Sequence, residues 1–194
     1  MQVQTEGYEK VIADDTGAIL LKTTFENLYN SYFDKLFEYG CRLHNDQHLI
    51  QDCIQDVFIK LWNKRHQLSN IKNIKSYLFI ALKNTILNKA ASSTHKLLQG
   101  GDTPFELSYI IEEQASKGEI SAETLSGLYI ALNNLTDRQK ECIYLRYFEG
   151  LGYEEISDLL NISTKATYKL AARALECLKA NIPESLFVLF FLLL

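Results

Sequence analysis

Proline is almost missing from this chain. Among 194 residues there are two, Pro104 and Pro183. Proline is the strongest helix breaker, so residues 1–103 and 105–182 are free to run as helices, interrupted once near the middle. No cysteine pair has the CxxC spacing. Cys41, Cys53, Cys142 and Cys177 fit no disulfide framework and read as reduced core thiols of a cytoplasmic protein. Long hydrophobic runs are absent too. The tail Leu186 to Leu194 is nine apolar residues, which as a helix would span about 14 Å against the ~30 Å of a bilayer core. It cannot cross a membrane, and packing within the chain or on a partner is its expected fate. Met1 to Lys22 carries four acidic residues and no basic segment ahead of its short apolar stretch, which excludes a signal peptide.

Enzyme signatures are lacking as well. There is no glycine-rich phosphate loop, no nucleophile elbow and no carboxylate pair in a pocket-forming context. Gly100-Gly101 reads as a linker feature. The expectation is a protein that is not an enzyme and holds no cofactor. Cys41, His44 and His48 have a spacing that suggests a metal, but Gly40 and Asn45-Asp46 break the helix there and no fourth ligand is near. A closed zinc site wants four ligands, so no metal is expected. His66, alone among polar neighbours, reads as a surface residue.

What is present is a globular balance, 47% apolar and 23% charged, which allows helical packing to bury a core. The net charge of -4 argues against nucleic acid until its distribution is considered. Residues 25–92 carry nine Lys/Arg and six Asp/Glu, residues 93–126 two and six, and residues 127–182 seven and seven. The acidity is concentrated in the middle segment, between a basic block and a neutral one.

Apolar periodicity sets the elements. Phe25, Leu28, Tyr29, Tyr32, Phe33 and Leu36 recur at three and four, giving a helix from about Thr24 to Leu43. Thr23-x-x-Glu26 fits a capping box at its start, which leaves residues 1–22 as a loosely ordered arm. Asn45-Asp46 is a turn and cap. The second helix runs from about His48 to Asn63, with Ile50, Cys53, Ile54, Val57, Phe58, Leu61 and Trp62 inward. The third runs from about Asn73 to Ala91, with Ile74, Tyr77, Leu78, Ala81, Leu82, Thr85 and Ile86 as its buried stripe. Gln99 to Pro104 is a breaker cluster, and a short helix fits over Phe105 to Gln114. A second helical block opens near Ser121, with Leu125, Leu128, Leu132 and Leu135 on one stripe. Thr136-x-x-Gln139 is a capping box for a helix ending at Gly150. Tyr153 to Leu160 is a short helix, Asn161-Ile162-Ser163 a tight turn, and Thr164 to about Asn181 the last helix, with Pro183 just beyond its end.

Three stretches bear on function. Leu151 to Leu178 has the form of a helix-turn-helix, with Asn161 suited to a left-handed turn and Ser163 to capping. Its exposed residues would be Thr164, Lys165, Tyr168, Lys169 and Arg173, which suit phosphates and guanine edges. An ordinary helical hairpin fits the same pattern. On the helix from Ile50 to Trp62, Asp52, Gln55 and Asp56 cluster on one side, either as a docking surface or as a solvated face with an i,i+4 pair from Asp56 to Lys60. From Lys72 to Lys89, Lys72, Lys75, Lys83 and Lys89 mix with Tyr77, Phe79, Asn84 and Asn88. Cations suit phosphates, aromatic faces suit unstacked bases and amides suit base edges. An amphipathic helix with its lysines outside is the plain alternative.

In this order, the stretches resemble the sigma-70 family, and within it the small extracytoplasmic-function sigma factors. Leu49-Ile50-Gln51-Asp52-Cys53-Ile54-Gln55-Asp56-Val57-Phe58-Ile59-Lys60-Leu61-Trp62 is similar to that family's region 2.2. Ser76 to Asn84 is similar to region 2.3, closing on a basic-Asn pair. Leu135-Thr136-x-x-Gln139 and the run from Tyr144 to Ile156 resemble region 4, followed by its helix-turn-helix. The likeness covers roughly residues 23–181. It departs where Leu170 and Ala172 stand at positions often polar or basic, where Gly152 replaces a usual Ser, and where Asn88 replaces a frequent Asp. The basic cluster that often follows region 2.4 is reduced to His95 and Lys96.

The resemblance implies an all-α protein of two small helical domains joined by a flexible linker. Its expected parts are an arm at 1–22, a polymerase- and -10-binding domain at 23–93, a linker at 94–122, a -35-binding helix-turn-helix domain at 123–182 and an apolar tail at 183–194. It implies docking of core RNA polymerase through Asp52, Gln55 and Asp56. It places the reading of single-stranded -10 bases in the block from Tyr77 to Asn88. It places duplex contacts at Tyr168, Lys169 and Arg173, and weak binding of promoter DNA by the free protein follows from the thin basic content of the last helix. An anti-sigma factor, often membrane-bound in the family, is the implied inhibitor. Two rivals remain at this point: a polymerase-independent helix-turn-helix regulator, and a helical interaction module without DNA binding.

Overall fold

The computed structural model describes residues 15–65, 71–93, 105–107 and 122–181, and every regular element among them is helical. Two compact units divide the chain, residues 1–93 and 94–194.

The first unit packs three helices, α1 (Asp15–Leu43), α2 (Gln47–Asn63) and α3 (Ile74–Ser93), each against the other two. α1 starts nine residues before the expected boundary, so Thr23 lies inside the helix and cannot cap it, and residues 15–22 extend the helix rather than the arm. α2 begins as its sequence predicts. The Asp46 carboxylate accepts from the His48 and Leu49 backbone N–H groups at 3.0 and 3.1 Å, satisfying donors that the helix cannot. Asn73 does the same for α3, accepting from Ser76 N–H at 3.2 Å. Leu36 and Tyr39 of α1, Ile50, Cys53, Ile54, Val57, Phe58 and Leu61 of α2, and Leu78, Phe79, Leu82 and Ile86 of α3 form the core. Phe25 and Tyr29 lean edge-on against Phe58, with ring centroids at 5.8 and 4.8 Å, and Phe25 also meets Trp62 at 4.9 Å.

Among the described residues, the second unit has four α-helices and a π-helical turn. α4 (Ala122–Asn133) leads into α5 (Asp137–Ile143), which widens into a π-helical turn over Tyr144–Phe148; α6 (Tyr153–Leu160) and α7 (Thr164–Asn181) follow. α7 packs against α4, α5 and α6. The predicted capping box at Thr136 is complete: Gln139 N–H donates to Thr136 Oγ1, and Thr136 N–H to Gln139 Oε1. Gly150, at φ +66°, ends the helical run in the left-handed geometry that glycine adopts without penalty. Phe105 and Leu107 are buried. Phe105 N–H donates to Asp137 Oδ1 at 3.3 Å and its ring meets Tyr144 at 5.6 Å. Residues 105–107 are not helical, and they anchor a piece of the expected linker on the second unit. The rest of the suggested short helix, and the apolar tail, lie outside the described residues.

At Gly40 α2 comes close against α1: a Cβ there would collide with Ile50 Cγ2. Alanine is the better helix former by about 1 kcal/mol, but overpacking costs about 1–3 kcal/mol, and Ile50 is β-branched and fully buried. Gly40→Ala is expected to lower the thermal midpoint, and Ile50→Ala to remove most of that penalty when the two are combined. Calorimetry of the four proteins of the cycle checks this. Burial pushes the Cys142 thiol up to about 12, and Cys53 is raised by the same cause. Burial raises Cys41 as well, but Cys41 and Cys177 are half-buried while Cys53 and Cys142 are buried. Access should therefore let an aromatic disulfide reagent at pH 8 label the first two well before the others. All four should react at once after unfolding.

Candidate nucleic-acid and docking interfaces

On the outer side of α2, Asp52 and Gln55 are exposed and Asp56 is half-buried. Asp56 does not pair with Lys60 one turn on. Its carboxylate meets Lys89 Nζ of α3 at 2.8 Å, because the α2–α3 packing brings the end of α3 beside the middle of α2. That hydrogen bond is the chief reason the Lys89 ammonium holds its proton to higher pH than usual. Both side chains keep over a third of their surface exposed, so salt screens the pair and its stabilising effect is small. Functionally it joins the candidate docking face to the helix expected to handle DNA.

α3 sorts its candidate residues by angle. At 100° per residue, Tyr77, Asn84 and Asn88 fall within about 40° of one another on the side away from the core. Asn84 and Asn88 are exposed and Tyr77 is half-buried. Lys83 lies about 100° round from Asn84, on the flank. Lys75 sits near the start of the helix on the opposite side, its Nζ 5.8 Å from the centre of the Phe79 ring. Phe79, grouped by sequence with the base-handling aromatics, is fully buried and packs on Tyr39 at 5.0 Å. Core burial claims that ring, so of the α3 side chains expected at bases one phenol, two amides and a flanking cation remain.

In the second unit, α6, a three-residue turn and α7 form the predicted helix-turn-helix. Asn161 adopts φ 51° and ψ 50°, where an asparagine is tolerated better than most residues. Ser163 Oγ accepts from Ala166 N–H at 3.2 Å, capping α7. Gly152 has no side chain with which to cap α6, but Glu155 reaches back to accept its N–H at 2.6 Å. α6 packs on α7, and Ile156, Leu159 and Leu160 of the one and Thr167, Ala171 and Ala174 of the other are buried. Lys165, Tyr168, Lys169 and Arg173 are exposed. Lys165 and Lys169 lie within about 40° of each other, with Arg173 flanking them on one side and Tyr168 on the α6 side. Glu176 shares their line, which lowers the net positive charge of the face.

Sequence reasoning passed over Arg146 and Tyr153. Arg146 lies over the Tyr153 ring at 4.8 Å and donates from Nη1 to Leu151 O at 3.0 Å. Tyr153 in turn meets Tyr168, with ring centroids 4.1 Å apart. No periodicity links positions 146, 153 and 168; the turn geometry brings them together.

Comparison with known proteins agrees with this arrangement. Residues 28–95 match the model of Sigma-70 region 2, and residues 128–178 match that of Sigma-70, region 4; together they span more than half of the chain. The ECF RNA polymerase sigma factor SigM of Bacillus subtilis is 25% identical over 81% of this chain and 94% of its own length. SigX of the same organism is 22% identical over 83% of this chain and 84% of its own. Among solved structures, the sigma factor RpoE of Bartonella quintana, crystallised with the anti-sigma factor NepR, shares the fold with a TM-score of 0.54. It is 20% identical, over 81% of this chain and 95% of that one.

The left-handed turn should be sensitive to backbone preference. Asn161→Val forces a β-branched residue to positive φ and is expected to cost the second unit about 1–2 kcal/mol, whereas Asn161→Gly should be near neutral. Chemical denaturation of the two variants measures the difference.

Proposed function

From the premise that this chain belongs to the sigma-70 family, in its extracytoplasmic-function branch, we propose a division of labour between its two units. As an alternative sigma factor it directs promoter recognition and transcription initiation. In our reading the first unit docks core RNA polymerase through Asp52, Gln55 and Asp56. It receives unpaired -10 bases along Tyr77, Asn84 and Asn88, with Lys83, and more distantly Lys75, on the phosphates. The second unit holds duplex DNA of the -35 region through Lys165, Tyr168, Lys169 and Arg173.

The observation that carries this reading is the pair of family matches in order, each falling on a unit with its own core. A polymerase-independent regulator would have no use for a region 2 unit and is not favoured. Sigma factors in general are non-enzymatic regulators, and we leave the chemistry of RNA synthesis to the polymerase. Extruding bases costs a few kcal/mol, which a pocket of one phenol and two amides, backed by polymerase contacts, would offset. Among the described residues no helix is long and apolar enough to cross a membrane, in keeping with action in the cytoplasm. An anti-sigma factor, free or membrane-bound, is the inhibitor we expect.

Run-off transcription with purified core polymerase on genomic promoter fragments tests the whole. Added transcript from a subset of fragments is expected; none from any fragment would refute it. The roles should also separate. Asp52→Arg is expected to weaken retention on core polymerase by more than a hundredfold, since opposed like charges cost several kcal/mol. Arg173→Ala should spare retention and lower promoter-dependent transcript, and the opposite pattern would overturn the assignment.

A further inference from the structure

Of the large side chains left exposed, Ile59, Tyr129, Ile130 and Tyr168, Tyr168 stands on the helix expected to meet duplex DNA. It keeps 56% of its surface exposed, yet its ring is not loose, because Tyr153 contacts it at 4.1 Å with an interplanar angle of 36°. Tyr153 is itself fixed. The Arg146 guanidinium lies over it at 4.8 Å and is pinned by its bond to Leu151 O. A tyrosine presented alone would lose side-chain entropy on meeting a ligand. One already stacked has given most of it up, and preorganised contacts of this kind strengthen binding.

The position of Tyr168 on α7 indicates what it touches. It lies on the flank nearest α6, about 100° round the helix from Lys169 and about 140° from Arg173. In a helix-turn-helix, base edges face the outer line of the second helix, while the first helix crosses the sugar-phosphate backbone. A phenol on the α6 flank therefore faces phosphate, and its hydroxyl is a suitable donor.

We propose that Arg146 and Tyr153 are positioning residues that hold Tyr168 as a preorganised donor to a backbone phosphate of duplex DNA, offsetting the sparse positive charge of α7. This rests on the proposed function of the second unit and adds to it two residues and a contact type. Binding through Tyr168 is then insensitive to base sequence, and sequence preference is left to Lys165, Lys169 and Arg173.

The test uses holoenzyme assembled from the full chain and core polymerase, on a promoter fragment that gives run-off transcript, with dissociation constants measured at one fixed salt concentration. Tyr168→Phe, which keeps the ring contact and removes the hydroxyl, is expected to weaken binding by about tenfold or more, the usual worth of one hydrogen bond to a charged group. Tyr153→Leu should cost about as much, and Tyr153→Phe should retain most of the binding that Tyr153→Leu loses. In a Tyr168→Ala background, Tyr153→Leu should cost nothing further. An equal loss in that background would show that Tyr153 acts by supporting the fold alone, and would overturn its positioning role. On a panel of fragments with single base pairs exchanged, the Tyr168→Phe loss should be uniform. A loss confined to one base pair would overturn the phosphate assignment, and no loss at all would overturn the contact. If wild-type holoenzyme yields no transcript, the function on which the proposal rests fails instead.

Discussion

A single residue in the left-handed region governs the second unit. Asn161 reverses the chain between α6 and α7 within three residues, and that reversal decides which side chains share a face. With it, α6 packs on α7, and Ile156, Leu159, Leu160, Thr167, Ala171 and Ala174 are buried; Tyr153 comes over Tyr168; and the basic residues of α7 point away from the core. A longer or differently wound turn would keep both helices and lose the surface. The turn is held from both ends, by Ile162 N–H donating to Ser157 O at 3.0 Å and by Ser163 capping α7. The geometry is thus specified by hydrogen bonds as well as by packing.

Charge plays a smaller part than a DNA-binding role suggests. The chain is acidic overall, and the outer line of α7 places Glu176 among Lys165, Lys169 and Arg173. Each phosphate neutralised by a cation contributes to a salt-dependent affinity, so three cations and an acid make a weak electrostatic grip. The donor role proposed for Tyr168 would add affinity without adding charge. In the first unit the candidate surfaces on α2 and α3 are joined by an ion pair, Asp56 to Lys89. It is too exposed to stabilise the fold by much, yet a partner that engages Asp56 must act on Lys89 as well.

Each unit has a core of its own, and the chain between them is not all spacer. Phe105 and Leu107 are buried in the second unit, with Phe105 N–H bonded to Asp137 at the start of α5. Phe105 and Leu107 thus belong to the second unit's core although they precede α4 in the chain. Nothing in the acidic, glycine-containing composition of residues 93–122 marks that anchor, because the apolar residues Phe105, Leu107, Tyr109, Ile110 and Ile111 fit a short helix as readily as an extended stretch.

The helices themselves were legible in the sequence. With two prolines, strong three-and-four apolar spacing and recognisable caps at Asp46, Thr136 and Ser163, most boundaries follow from local chemistry: which backbone groups lack partners and which side chains can supply them. α6 and α7 begin and end where their residues predict, and the family resemblance rested on motifs of the same local kind. The early start of α1 was not legible, since the run from Asp15 to Lys22 has no clear apolar period, and Thr23-x-x-Glu26 imitates a cap inside a helix. Contacts between elements were settled only by tertiary structure. Packing of α2 on α3 gave Asp56 to Lys89 rather than to Lys60; the shared core took Phe79 away from the surface; and the turn at Asn161 set Arg146, Tyr153 and Tyr168 in contact. Helix formation is decided within a turn or two of chain, so residue order carries it. The pairing of faces depends on how whole elements pack, which no short stretch of sequence records.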